Sequence, residues 1–219
     1  MTVNADAAEL PVDPQELAAW VSAKLCHDFI SPAGAIVSGL DLLDDPTAQD
    51  MREDAMALIG QSAKKLVSLV HFARVAFGAA TTSEKFSGVE LQRLVAGMIE
   101  GGRATMDWRV DADDFTKPQA RALINLAYLT TAALPSGGVA TITTRRDGNL
   151  LLMEGTAVGA RARLKPEVIT GLAGERLVEG LAGQWIQPYW LWLTVSGHKG
   201  SLTVTTVEGR VDIVAGMPV

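Results

Sequence analysis

His27 stands directly before Asp28, with Lys24 about one helical turn upstream and Ser31 and Pro32 just downstream, in the stretch KLCHDFISPAGAIVSGLDLL over residues 24–43. Neutral imidazole is nucleophilic near physiological pH, an adjacent carboxylate orients the ring and takes up its proton, and a lysine one turn away assists phosphate charge. The chemistry this set supports is acceptance of a phosphoryl group. A metal site needs further ligands at suitable spacing. Cys26 with His27 makes a poor nucleophilic dyad, because neighbouring helical residues point about 100° apart. An isolated His-Asp dipeptide is a common surface pair, so the weight of the motif rests on the elements that carry it.

Those elements are helical. From Asp13 to about Leu43, Leu17, Val21, Leu25, Phe29, Ile36, Leu40 and Leu43 fall on one side of a helix, with Asp13 as N-cap and Pro14 at the first helical position. His27 lies off this arc, on a flank shared with Trp20, Lys24, Ser31 and Ser38, whose polar members are expected to face solvent. The segment DDPTAQDM, 44–51, interrupts the pattern, and Asp45 is placed to cap a second helix whose first turn begins at Pro46. That helix is expected to run to about Phe77 along a seam of Met51, Ala55, Leu58, Ser62, Leu66, Leu69, Ala73 and Ala76, and GAATTS ends it. Two such stripes are not buried by one hairpin, and two copies about a C2 axis make a four-helix bundle.

Past Phe86 the chain takes on an α+β character. Helices are expected over Val89–Ile99, Pro118–Ala133 and Gln187–Ser196, and strands at VATITTRR, NLLLMEG, SLTVTTVEG and VDIVAG. The expected organisation is a flexible N-terminus (1–12), a dimerisation and phosphotransfer hairpin (13–79), a boundary near 79–85 and a second domain (85–219). His71, near the end of the second helix, and His198, in a turn before a strand, are read as structural. Arg161, Arg163 and Lys165 are read as a solvated loop, and the aromatic run WIQPYWLWL as core packing.

A net charge of −6 on 219 residues disfavours binding to a nucleic-acid backbone or an anionic membrane. Hydrophobic residues at 48% suffice for a buried core. Cys26, the single cysteine, excludes an internal disulfide or a CxxC site. The start MTVNADAAELPVDPQ has neither a basic nor an apolar leader region, and Trp185–Val195 is too short to span a bilayer, so a cytoplasmic location is expected.

HDFISP, His27 to Pro32, resembles the H-[DE]-x-x-x-P phosphoacceptor box of histidine kinases, on the first helix of a dimerising hairpin as in those enzymes. The run LCHDFISPAGAIVSGLDLL followed by DPTAQDMREDAMALI is similar to the ChpT-type histidine phosphotransferases of alphaproteobacteria, over nearly the whole chain. The resemblance implies that His27 is phosphorylated, that Asp28 is its acidic neighbour, and that Ser31 occupies a polar position that influences dephosphorylation. Ile30 stands where kinases commonly carry a basic residue. A docking receiver must bring its aspartyl-phosphate to the imidazole, against the flank of Lys24, Ser31 and Ser38.

The second domain resembles the kinase ATP-binding domain in outline, an α/β sandwich. ALINLAYLTTAALPSGGVATI reads like its N-box, and SGHKGSLTV like its closing H-x-G-strand segment. The metal-holding positions correspond to Asn125 and Leu129, and leucine does not ligate magnesium. The adenine-binding D-x-G-x-G box would fall at TAVGA, 156–160, and the phosphate loop is reduced to EGLAGQWI, where Gly180 and Gly183 are read as turn residues. A degenerate domain without nucleotide binding, used for docking, is the expectation. The family reading implies a homodimer that takes a phosphoryl group from the receiver of a hybrid histidine kinase of the CckA type. It passes that group to response regulators of the CtrA and CpdR type in cell-cycle control. It implies no cofactor on this chain and Mg²⁺ in the receiver. An atypical histidine kinase and a non-catalytic dimeric scaffold stand as alternatives; ATP binding separates the first, and loss of label from a phosphorylated receiver the second.

Overall fold

The computed structural model describes residues 12–78, 85–111 and 114–219, together with the backbone of the short strand β1 (Thr2–Val3). Asp13 accepts hydrogen bonds from the backbone N–H groups of Gln15 (2.8 Å) and Glu16 (3.2 Å), and Pro14 follows, so helix α1 (Pro14–Asp44) starts as its sequence dictates. Pro32 lies inside it. Asp45, in contrast, does not cap the next helix. Its carboxylate accepts from the Thr47 hydroxyl and backbone N–H, both at 2.7 Å, and these bonds hold the carboxyl below its usual range. The connection then passes through a 3₁₀ turn, Gln49–Met51, into α2 (Arg52–Ala76), which therefore begins several residues later than expected. Gly39 lets the two helices approach so closely that a Cβ there would lie 2.6 Å from Ile59 Cγ1.

Pro32 and Gly39 of α1 and Ala55, Ser62 and Leu69 of α2 are buried, while Leu17 of α1 is buried against α6. Leu40, Met51 and Leu58, expected in the seam, are exposed, as are Ile30 and Val37 on α1 and Met56, Val67 and Val70 on α2. One hairpin uses only part of each apolar arc.

After β2 (Lys85–Phe86), α3 (Gly88–Ile99) opens on a reciprocal cap: the Ser87 hydroxyl accepts from Glu90 N–H, and Glu90 accepts from Ser87 N–H. Next come β3 (Ala104–Arg109), β4 (Phe115–Thr116), which pairs with β2, and α4 (Lys117–Ala132). The chain continues through β5 (Gly138–Asp147), β6 (Leu150–Val158), α5 (Pro166–Leu172), α6 (Ala182–Gly197), β7 (Ser201–Val207) and β8 (Arg210–Pro218). Among the described residues the main sheet runs β1-β7-β8-β6-β5-β3, with β3 parallel to β5 and the other neighbours antiparallel. Leu151, Met153 and Ala157 of β6 and Val211, Ile213 and Ala215 of β8 are buried with Leu123, Leu126 and Ala127 of α4, while Glu154, Thr156 and Asp212 keep the opposite face polar. The fold is thus α+β, a helical hairpin followed by an α/β sandwich.

Besides the late start of α2 and the two-residue strands β1, β2 and β4, three longer elements differ from the sequence expectation. Helix α6 begins at Ala182, five residues before Gln187, with Pro188 inside it, and β3 and α5 were not foreseen. The expected boundary at 79–85 and the expected flexible segment 1–12 lie largely outside the described residues, although Thr2–Val3 pairs with β7.

Among the described residues the hairpin is fastened to the sandwich by several contacts, three of which position the site. Val12, Leu17 and Trp20 pack with Trp185, Ile186 and Tyr189 of α6; the Trp20 and Trp185 rings meet edge to face at 4.9 Å, and Trp185 stacks on Tyr189 at 4.4 Å. At the other helix, fully buried Asn125 of α4 donates through Nδ2 to the carbonyls of Ala76 (2.9 Å) and Arg121 (2.8 Å), and its Oδ1 accepts from Gln187 Nε2 (3.0 Å). Lys65 of α2 donates to the Met98 (2.6 Å) and Gly97 (3.3 Å) carbonyls at the end of α3, where a cation complements the helix dipole; burial pushes its ammonium below the usual range.

Candidate active site

On α1, Asp28 holds two partners. Lys24 Nζ lies 2.6 Å from Oδ2, the i,i+4 spacing of one helix face, and His27 Nδ1 lies 3.4 Å from Oδ1. The His27 side chain is 87% exposed, that of Asp28 24% and that of Lys24 only 11%. With the proton on Nδ1, the imidazole donates toward Asp28 and presents the Nε2 lone pair outward. Lys24 departs from expectation: its side chain is only 11% exposed, its ammonium is held by Asp28, and it lines the recess between α1 and the sandwich rather than a free flank. Its first effect is to anchor the carboxylate that orients the ring.

Two recesses flank this pair. The larger, of about 610 Å³, lies between α1 and the sandwich and is walled by Trp20, Tyr128, Leu129, Val168 and Pro188, with Lys24, Arg163, Lys165 and Gln187 among its polar members. The smaller, an open groove of about 490 Å³, runs beside α2 and holds Ser31, Pro32, Ser62, Lys65 and Met98. Ser31 therefore shares a groove with His27 and Asp28, while exposed Ser38 lines neither recess. Arg163 and Lys165 are exposed, as a solvated loop requires, yet they border the recess that contains His27. Their loop is pinned by the Arg163 N–H bond to the Ala133 carbonyl at 2.9 Å. Sequence reasoning missed this approach, and missed Tyr128 beside the flagged Leu129, because both reach α1 through long-range packing.

The kinase-like positions are occupied otherwise. Asn125 is engaged in the buried network, and Leu129, 4% exposed, is an apolar wall. Within 156–160, the Thr156 hydroxyl donates to Asp212 Oδ1 at 2.7 Å. Gly180 has φ +114°, a turn conformation that favours glycine, whereas Gly183 lies in the first turn of α6 rather than in a loop. His71 is exposed on α2, and His198 Nδ1 lies 2.8 Å from the Thr194 carbonyl at the end of α6. The aromatic run of α6 packs as expected, and the core it builds joins α6 to α1. Among the described residues no group of three His, Cys, Asp or Glu side chains is arranged to hold a metal ion, and no helix is long and apolar enough to cross a membrane.

Comparison with known proteins places this architecture. Residues 88–210, more than half of the chain, match the family model described as histidine phosphotransferase C-terminal domain. The protein phosphotransferase ChpT of Brucella abortus (strain 2308) is 29% identical over 196 residues, covering 88% of this chain and 92% of that protein. A solved bacterial phosphotransferase superposes with a TM-score of 0.82 at 26% identity, covering 94% of this chain and all of the other. The matched region, from α3 through β7, is thus a histidine phosphotransferase domain; the chain is similar to ChpT over most of its length, and it belongs to the histidine phosphotransferase family.

Proposed function

We propose that this phosphotransferase works through His27, accepting a phosphoryl group from the receiver domain of a hybrid kinase and passing it to response regulators. The observation that carries the proposal is the pairing of Nδ1 with Asp28 on an exposed imidazole, which leaves Nε2 free. Nε2 attacks the phosphorus of the receiver's aspartyl-phosphate, the P–O bond to the carboxylate breaks with its electron pair, and an N–P bond forms. The ring then carries a positive charge that Asp28 offsets while Nδ1 keeps its proton. Transfer to the next receiver reverses these steps. Mg²⁺ belongs to the receiver, and the cationic Arg163 and Lys165 beside His27 suit an acidic partner. Partners of the CckA, CtrA and CpdR types and a role in cell-cycle control follow from the family resemblance alone. Residues 13–79 act as the phosphotransfer hairpin and 85–219 as the domain that supports it. The exposed apolar arcs of α1 and α2 favour a homodimer with a four-helix core. Transfer of label from a phosphorylated receiver, with His27→Ala as control, tests the reading.

Two further results are expected. Millimolar ATP with Mg²⁺ gives no saturable calorimetric isotherm, because Leu129 replaces a ligating side chain and Asn125 is committed to Ala76 and Gln187; an isotherm or autophosphorylation would move the reading to a kinase. Ser38 lies three turns beyond His27 on nearly the same bearing, and Ser38→Arg weakens receiver binding about tenfold while leaving the imidazole untouched. Transfer kinetics equal to the parent at every receiver concentration would place docking elsewhere.

A further inference from the structure

His27 and Asp28 share one more neighbour. Among the described residues, only these two and Tyr128 line both recesses, so Tyr128 stands with them on the partition between the cavities. It comes from α4, not from the helix that bears the histidine. Its ring packs on Phe72 of α2 with centroids 5.6 Å apart, and α4 is held against α2 by the Asn125 bond to Ala76, so its place is fixed from two sides. Burial first, and then the charge of Asp28, push the phenol above its usual range, so it stays protonated and able to donate. Asp28 in turn has Oδ2 on Lys24 and Oδ1 toward His27; a carboxylate offers about four acceptor sites, which leaves capacity for a third donor.

We propose that Tyr128 is a positioning residue for phosphotransfer: its hydroxyl backs the Asp28 carboxylate, so that Oδ1 stays on the Nδ1–H of His27 and Nε2 faces the incoming receiver. This rests on His27 as the phosphoacceptor. The sandwich then contributes directly to the state of the imidazole, and the reactive tautomer is a product of both parts of the chain. Without the hydroxyl, Asp28 gains freedom to turn toward Lys24 and the larger recess, and the proton redistributes between the two ring nitrogens.

Tyr128→Phe in the full chain is the test, because it keeps the ring against Phe72 and removes only the hydroxyl. The ¹⁵N spectrum of the His27 imidazole, assigned by difference with His27→Ala, reports the tautomer without any receiver. The expected result is a shift from Nδ1–H toward Nε2–H, with single-turnover transfer at saturating phosphorylated receiver slowed roughly tenfold and receiver affinity within about twofold of the parent. Parental tautomer balance together with a parental saturating rate overturns the proposal. So does a loss of transfer that disappears at saturating receiver, which marks a docking contact. If His27→Ala accepts label as well as the parent, the phosphoacceptor reading fails, and the tautomer spectrum still decides whether Tyr128 controls the ring.

Discussion

His27→Ala is expected to reduce phosphoryl acceptance from a phosphorylated receiver to background, a loss of at least about a thousandfold, while the protein keeps its melting temperature. The chemical half of this rests on an exposed imidazole whose Nδ1 faces an acidic partner, leaving Nε2 as the nucleophile. The structural half rests on exposure: the His27 side chain is 87% exposed and buries almost nothing, so its truncation removes little packing. His71→Ala should transfer normally, since that residue sits exposed on α2 with no acidic partner among the described residues. Radiolabel transfer and thermal melts on the two variants decide. Label on His27→Ala, or its loss in His71→Ala, would remove His27 from the mechanism.

The second large effect concerns stability. Asn125→Ala is expected to destabilise the chain by about 2–4 kcal/mol, because it strips partners from the Ala76 carbonyl and from buried Gln187 Nε2 and leaves a small void. For a chain of this length that corresponds to a drop in Tm of about 5–15 °C. Alanine favours the helix, so propensity does not account for such a loss. Below the new transition the variant should still accept label, since Asn125 lies outside the set that surrounds His27. A Tm within about 2 °C of the parent would mean that the freed groups find other partners and that this attachment contributes little.

Much of this is written locally in the chain. Asp13-Pro14, Ser87 with Glu90, and the alternation in β6 and β8 each specify their element through neighbours a few residues away, and those elements stand close to where the sequence puts them. The exposure of His27 also follows from its bearing on an amphipathic helix. Failures occur where a local signal has two readings or a distant element decides. Asp45 has the chemistry of a cap, and Thr47 turns it into a turn residue instead. Pro188 reads as a first-turn proline, but buried α6 carries it in its interior. β3 does carry a local signal, since Ala104, Met106 and Trp108 alternate with Thr105, Asp107 and Arg109 and pack against the core, but the run is short and only half-buried, and the sequence expectation passed over it. Tyr128 and Arg163 acquire their places around His27 only once the sandwich has packed on the hairpin, which periodicity along one helix does not encode, whereas Lys24 meets Asp28 through i,i+4 spacing within α1.

The attachments between hairpin and sandwich bear on the tempo of the relay proposed for His27. A domain that delivers a group to a residue of its own chain must travel to it, whereas a body clamped through the aromatic cluster, Asn125 and Lys65 has no such journey to make. In the relay proposed for His27, no domain travel precedes an exchange, so encounter with a receiver weighs directly on its rate. At association rates of about 10⁵–10⁷ M⁻¹s⁻¹, a receiver at micromolar concentration arrives about 0.1–10 times per second. On that proposed reading, the pace of exchange follows the abundance of receivers rather than a movement inside this chain.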